Sequence, residues 1–434
     1  MSSTKPEPEN RALLVDVETQ LRPTSPDRRR AFPVLLVLAQ FGFLLALLAP
    51  VVVSLSIKVS IIDPVNTGGS LGLILGVGSL MSVIATPLFG NLSDRSRSRF
   101  GRRRPFLVGG ALVGTLGLVV IGVSDAIPGV LAGWALTQLA MNAGQAAISG
   151  LYADRIPEQL RGRVGAFLGL ATNFGAVGGA AMATALSPNL LLIFLVPGLV
   201  AIAFAGILAL YIKDAPAQPE ALRPFSVMEI VRSYGWPVRS NRDFTINFIS
   251  RFLIWLGFSA LMTYQALLFI QHFGVNPQNV AGYMLAATAI SGAGTLLGSI
   301  GGGWISDKVD RRKGFVLTGG LLIGVSLLLV GLAPTPELVF AAGALGGLGL
   351  GVYIAVDLAL AARLVPDKNN AGRYMGIVTL ANNLPNVVTP LLAPLLLTAG
   401  ATADGRPGFT LLFLVAGVVS VVGSILVLAI RSVR

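Results

Sequence analysis

Gly90-Asn91-Leu92-Ser93-Asp94-Arg95-Ser96-Arg97-Ser98-Arg99-Phe100-Gly101-Arg102-Arg103-Arg104-Pro105-Phe106 lies between two long apolar runs and holds six arginines and one aspartate. A shorter echo, Gly303-Trp304-Ile305-Ser306-Asp307-Lys308, is followed by Arg311-Arg312-Lys313. Both copies read Gly-x-x-Ser-Asp and then a basic cluster, and Asp307 comes 213 residues after Asp94, about half the chain. A basic loop repeated at half-length between apolar segments predicts a membrane transporter built from two copies of one unit.

Composition points the same way. The 434 residues are 54% apolar and only 12% charged, too little charge for a water-soluble chain of this size. Cysteine is absent and His272 is the single histidine. That leaves no disulfide framework, thiolate site or multi-histidine metal site, so neither metal nor cofactor is expected. The net charge of +12 would suit nucleic acid, but the basic residues fall in short loops between apolar runs. There they direct membrane insertion, so the expected partners are the lipid bilayer and a small-molecule substrate, with no nucleic acid.

Segments long enough to cross about 30 Å of hydrocarbon as helices recur twelve times: 31–55, 70–91, 106–124, 129–152, 164–186, 189–212, 244–270, 279–304, 315–333, 338–362, 374–399 and 408–430. The runs are continuous and do not alternate with period two, which excludes a membrane β-barrel. With the N-terminus inside, every Lys and Arg except Lys58, Arg251 and Arg406 falls in a cytoplasmic segment. The positive-inside rule then predicts a multi-pass cell-membrane protein with both termini cytoplasmic. Residues 1–30 read as a disordered cytoplasmic tail, 31–212 and 244–430 as two six-helix bundles, and 431–434 as a short tail. Between the bundles, 213–243 alternates apolar and charged side chains and reads as a cytoplasmic linker. It is either a plain tether or one with an interfacial helix.

Further landmarks repeat. Pro157 returns as Pro366, Gly162-Arg163 as Gly372-Arg373 and Asn173 as Asn383, at offsets of 209 to 210 residues. The expected fold is therefore all-α, twelve transmembrane helices in two bundles related by a parallel repeat.

Gly90 to Asp94 with Arg95 and the Gly101-Arg102-Arg103 cluster resembles the loop between spans two and three of the major facilitator superfamily. The Gly303 to Lys313 stretch resembles that loop's second copy. The resemblance runs from the first span to the twelfth. The extended form Ser98 to Phe106, with Asn142, Gln145 and Ala153-Asp154, is similar to the plant sucrose transporters and their relatives. That implies proton-coupled transport of glycosides. It also implies alternating access about a site lined by spans one, four, seven and ten. Two positions depart from the sucrose group: Gln138 stands where it carries an aspartate and Ser149 where it carries an arginine.

The residues suggest their own roles. Gly90 and Gly303 are expected to let two helices approach closely. Asp94 and Asp307, at helix ends, can accept backbone N–H bonds or pair with an arginine. With Arg102, Arg103 and Arg311 they read either as a conformational latch or as fixed topology and packing. Gln138, Asn142, Gln145 and Ser149 share one face of span four and suit either hydrogen bonding to a hydroxyl-rich ligand or helix–helix adhesion. Asp357 in span ten is too costly to face lipid, and Arg251 in span seven lies at matching depth. The two are expected to pair, with Asp357 either a proton carrier or a static partner. Trp255, Tyr353 and Asn383 complete the substrate-binding candidates, Trp255 as a stacking platform or as packing. Thr379, Asn382, Asn383 and Asn386 lie beside Pro385 and Pro390, which predict a kinked or broken span eleven.

The favoured function is proton-coupled uptake of a sugar or other small polar solute by a monomer. The alternative is a proton-antiporting exporter of drugs or metabolites. No nucleophile elbow, metal cluster or Walker loop occurs, so no enzymatic activity is expected.

Overall fold

The computed structural model describes residues 31–187, 189–214, 241–309, 312–365, 371–401 and 406–431. The 1–30 tail, residues 215–240 of the linker, Pro366 and Arg311 lie outside that set, as do the side chains of Asp307 and Arg373. Among the described residues twelve long helices follow one another: α1 (Ala31–Ile62), α2 (Thr67–Arg95), α3 (Arg104–Val123), α4 (Ile127–Arg155), α5 (Glu158–Leu186), α6 (Leu192–Tyr211), α7 (Arg242–His272), α8 (Val280–Val309), α9 (Arg312–Gly331), α10 (Pro336–Arg363), α11 (Ala371–Ala399) and α12 (Phe409–Leu426). No β-strand occurs among the described residues.

Eleven of the twelve have the length and apolar content to cross a membrane. The twelfth, α4, is 29 residues long but too polar, because Gln138, Asn142 and Gln145 sit in its middle. A helix can keep such residues at membrane depth only by turning them onto neighbouring helices or a cavity. Several helices outrun the apolar segments. α5 starts at Glu158, directly after Pro157, so its first turns carry Glu158, Gln159, Arg161 and Arg163 ahead of the apolar run.

The two halves pack alike. In the first, α1 lies on α5 and α6, α2 on α4, and α3 on α4 and α6; in the second, α7 lies on α11 and α12, α8 on α10, and α9 on α10 and α12. Details repeat as well. Where α3 crosses α4, a Cβ on Gly117 would stand 2.6 Å from Gly133 O, and one on Gly133 2.8 Å from Gly117 O. Where α9 crosses α10, Gly319 and Gly349 stand in the same reciprocal relation, at 2.8 and 2.7 Å. Arg104 at the start of α3 donates to Ile212 O, just past the end of α6, and Lys313 at the start of α9 donates to Leu428 O and Ile430 O past α12. Both cations thus satisfy carbonyls a helix end leaves open. Each half's first helix also contains one π-turn, Pro50–Ser54 in α1 and Leu268–His272 in α7.

The halves meet through α2 on α11 and α5 on α8. Contacts that join them gather at the end remote from the arginine loop. A Cβ on Gly72 would come within 2.3 Å of Pro390 O, and Gly68 and Gly76 press on Leu397 and Leu391. Ser187 Oγ donates to Gln278 O at 3.2 Å. Tyr264 Oη donates to Pro390 O at 3.3 Å, a carbonyl freed because Pro394 has no N–H to give it. α11 therefore stays continuous through Pro385, Pro390 and Pro394 rather than breaking.

Candidate functional site

Polar side chains in the first half form a seam. Ser82 Oγ on α2 donates to Asn142 Oδ1 at 3.0 Å, and Asn142 Nδ2 donates to Gln138 Oε1 at 3.0 Å and to Gln138 O at 2.7 Å. One turn further along α4, Gln40 Nε2 on α1 donates to Gln145 Oε1 at 2.9 Å. Gln138 and Asn142 are buried, Gln145 is half-buried and Ser149 is exposed. An amide left unbonded at such depth costs about 1–3 kcal/mol, so the Ser82 and Gln40 partners hold α4 in one rotation about its axis. The bonds use Gln138 and Gln145 as acceptors, which leaves both amide nitrogens as donors for a ligand. Gln40 and Ser82 were missed in the sequence, although Gln40 is a lone polar residue in the apolar first half of α1.

In the second half, Arg251 Nη2 on α7 is ion-paired with Asp357 Oδ2 on α10, with side chains 2% and 8% exposed. Tyr353, one turn before Asp357, is fully buried against the pair and does not reach an open surface. Trp255 is half-buried, edge-on to Phe258 at 5.6 Å, and its Nε1 has no hydrogen-bond partner. Ser259 Oγ donates to Asn386 Oδ1 at 3.0 Å, which ties α7 to α11. Asn383 is exposed on α11, and Asn382 Oδ1 is buried without a partner.

The arginine loop is engaged within its own half. Arg103 pairs with Asp94 and with Asp154 of α4 at 3.2 Å; Arg102 pairs with Asp154 at 2.7 Å. Arg103 Nη1 donates to Ser93 Oγ at 3.2 Å. Asp214, just beyond α6, caps α3 by accepting from the backbone N–H of Arg103 at 2.5 Å and of Arg104 at 3.0 Å. Gly101 turns the chain into this cap at φ 99°, where a Cβ would lie 2.5 Å from the Asp214 carboxylate. No sequence motif announces Asp214, because its partners are more than 100 residues away. Replacing it with Ala removes the cap and is expected to cost about 1–2 kcal/mol, read as a lower melting temperature of the purified protein.

One expectation is overturned. Gly90 and Gly303 are not points of close helix approach in this arrangement. A Cβ on Gly90 would meet nothing within 4 Å, and one on Gly303 only Ala355 Cβ at 3.9 Å. The close approach of α2 to the other half falls instead at Gly72 and Gly76, because the seam lies at the remote end.

Comparison with known proteins agrees with the fold. The family model described as Major Facilitator Superfamily matches residues 31–300 and again 248–434. The sucrose transport protein SUC4 of Arabidopsis thaliana is 43% identical over 58 residues, 13% of this chain and 10% of that protein. The general alpha-glucoside permease of Schizosaccharomyces pombe is 47% identical over 45 residues, 10% of this chain and 8% of that one. The matches thus span about a tenth of the curated relatives. Among solved structures, a mutant of the nucleoside transporter NupG superposes with a TM-score of 0.75 at 12% identity, covering 92% of this chain and 100% of that one.

Proposed function

The chain belongs to the Major Facilitator Superfamily and is a multi-pass membrane transporter, not an enzyme; from that premise we propose that it imports a sugar or glycoside together with a proton. The observation that carries the reading is the contrast between the halves. One presents a seam of neutral amides, Gln138, Asn142 and Gln145, bonded to Gln40 and Ser82; the other holds a single buried ion pair, Arg251–Asp357. Neutral amides donate to and accept from hydroxyl groups without favouring a charged solute. The ion pair supplies a carboxylate that can take up and release a proton as its arginine comes and goes. The short matches to a sucrose transport protein and an alpha-glucoside permease support the same class.

On this reading the arginine-loop end is cytoplasmic, as are both termini, and the cell membrane holds the two bundles, 31–212 and 244–430, tethered by 213–243. The contacts at the remote end then make this the inward-facing state, in which the Asp94–Arg103–Asp154 latch closes within the first half. Gln138, Asn142 and Gln145 bind solute from α4, with Trp255 and Asn383 facing it from the second half, and Asp357 carries the proton.

The test is uptake of labelled sucrose, maltose or glucose into proteoliposomes, with and without an imposed pH gradient. Accumulation above equilibrium that requires the gradient supports the proposal. Absence of counterflow with any sugar, together with dye efflux, turns it to the exporter. For whichever sugar is carried, Asn142→Leu is expected to raise KM about tenfold, some 1.4 kcal/mol, since it removes bonds on both sides of the seam.

A further inference from the structure

α11 and α12 both rest on α7 but leave a gap between themselves. Thr389 Oγ1 of α11 donates to Leu256 O of α7 at 3.1 Å, and a Cβ on Gly257 of α7 would lie 2.5 Å from Ala416 O of α12. Between the two contacts runs an open groove of about 310 Å³, walled by Ala393 and Leu396 of α11 and by Val415 and Val419 of α12. Ala260 and Ala416 also line it and, at 2% and 7% exposed, are set back from the surface. Among the described residues Thr389 is the one polar side chain of the lining, and its hydroxyl is already bonded to Leu256 O.

The first half closes the corresponding place with its own side chains. There α1 carries α5 and α6. Phe41 of α1 meets Phe204 of α6 with ring centroids 6.4 Å apart, and a Cβ on Gly178 of α5 would lie 3.7 Å from the Phe41 ring. In the second half α12 brings only Leu412, Val415, Ala416 and Val419 to the groove.

What fills the groove follows from where it lies. It sits on three membrane-spanning helices, beside Pro390 of α11 and along the first turns of α12, hence in the membrane half remote from the arginine loop. Its rim is apolar, with Leu392 and Leu395 exposed. A polar solute finds no free hydrogen-bonding group here, and apolar cavities stay dry. A vacant groove forfeits the dispersion contacts of its lining. One turn of a neighbouring helix, about 10 Å across and 5.4 Å high, takes up about 420 Å³, more than the groove offers. A hydrocarbon chain is narrow enough, and the bilayer presents one at the mouth of the groove.

We propose that this groove is a lipid site that holds one acyl chain of a phospholipid from the leaflet remote from the arginine loop. The chain takes the place that Phe41 and Phe204 take in the first half, and it braces α11 against α12.

The test is photolabelling of the full-length protein in phosphatidylcholine vesicles that contain a phosphatidylcholine with a diazirine midway along one chain. Labelled peptides are mapped by mass spectrometry. Label is expected on Ala260, Ala393 or Ala416, which a lipid outside the groove does not reach. Val419→Phe puts a ring into the groove and should lower that label about fivefold or more. Val418→Phe, one residue along α12 and outside the lining, should change it less than twofold. If Val419→Phe does not fold, Val415→Phe on the same wall takes its place. Label confined to exposed ridges such as Leu395 and Val418 overturns the proposal, as does groove label that Val419→Phe leaves unchanged. A groove without label in a protein that crosslinks as a dimer gives the site to a second copy and overturns it too. None of these outcomes depends on which solute is carried, so the lipid site and the transport proposal fail separately.

Discussion

Asp357→Asn is expected to abolish proton-driven accumulation, leaving internal solute no higher than external. The argument starts from the cost of a carboxylate at this depth. Asp357 and Arg251 are both buried, and each is tolerated because the other is there. Removing the carboxylate also strands the guanidinium, which costs about 3–5 kcal/mol when a buried pair loses one member. The single variant is therefore expected to express poorly as well as to lose coupling. The double variant Asp357→Asn, Arg251→Gln removes both charges and is expected to recover most of the stability but none of the accumulation. Thermal stability in detergent and gradient-driven uptake in proteoliposomes separate these effects. Accumulation retained by either variant would make the pair a static brace and move proton coupling elsewhere in the chain.

Gly117→Val is expected to have the largest effect on folding. Moving a side chain aside does not make room: besides the Thr137 hydroxyl, which it meets first, the added group runs into backbone, Gly133 O at 2.6 Å and Thr137 N at 2.9 Å. α3 and α4 would have to separate along their length, and overpacking that forces backbone shifts costs about 3 kcal/mol or more. Thr137 Oγ1 would lose its 3.2 Å bond to Gly114 O as the helices part. Gly349→Val tests the same contact in the second half, where Gly319 O stands at 2.7 Å. Both variants are expected to reduce the monodisperse fraction after detergent extraction severalfold, by chromatography. The control is Gly109→Val, at a position where a Cβ meets nothing within 4 Å. An unimpaired Gly117→Val would mean that the α3–α4 crossing does not hold the first half together.

The sequence carried the architecture because the bilayer makes architecture a local property. A segment crosses if some 20 consecutive residues are apolar, and a loop stays on its side if it is basic; both can be counted along the chain. The repeat was legible for the same reason, through landmarks such as Ser93-Asp94 and Ser306-Asp307 that hold equivalent places in two copies. Even the polar face of α4 and the matching depths of Arg251 and Asp357 followed from helical periodicity and rise. What a helix meets depends instead on its rotation, tilt and neighbours, which are set by the shapes of side chains distant in sequence. Only the tertiary structure brings Gln40 onto Gln145, uses Asp214 to cap α3, and puts the close approach of the halves at Gly72 rather than Gly90. A hydrophobic run determines that a helix spans the membrane; the packing of twelve such helices decides which of its polar atoms find partners and which are left to bind.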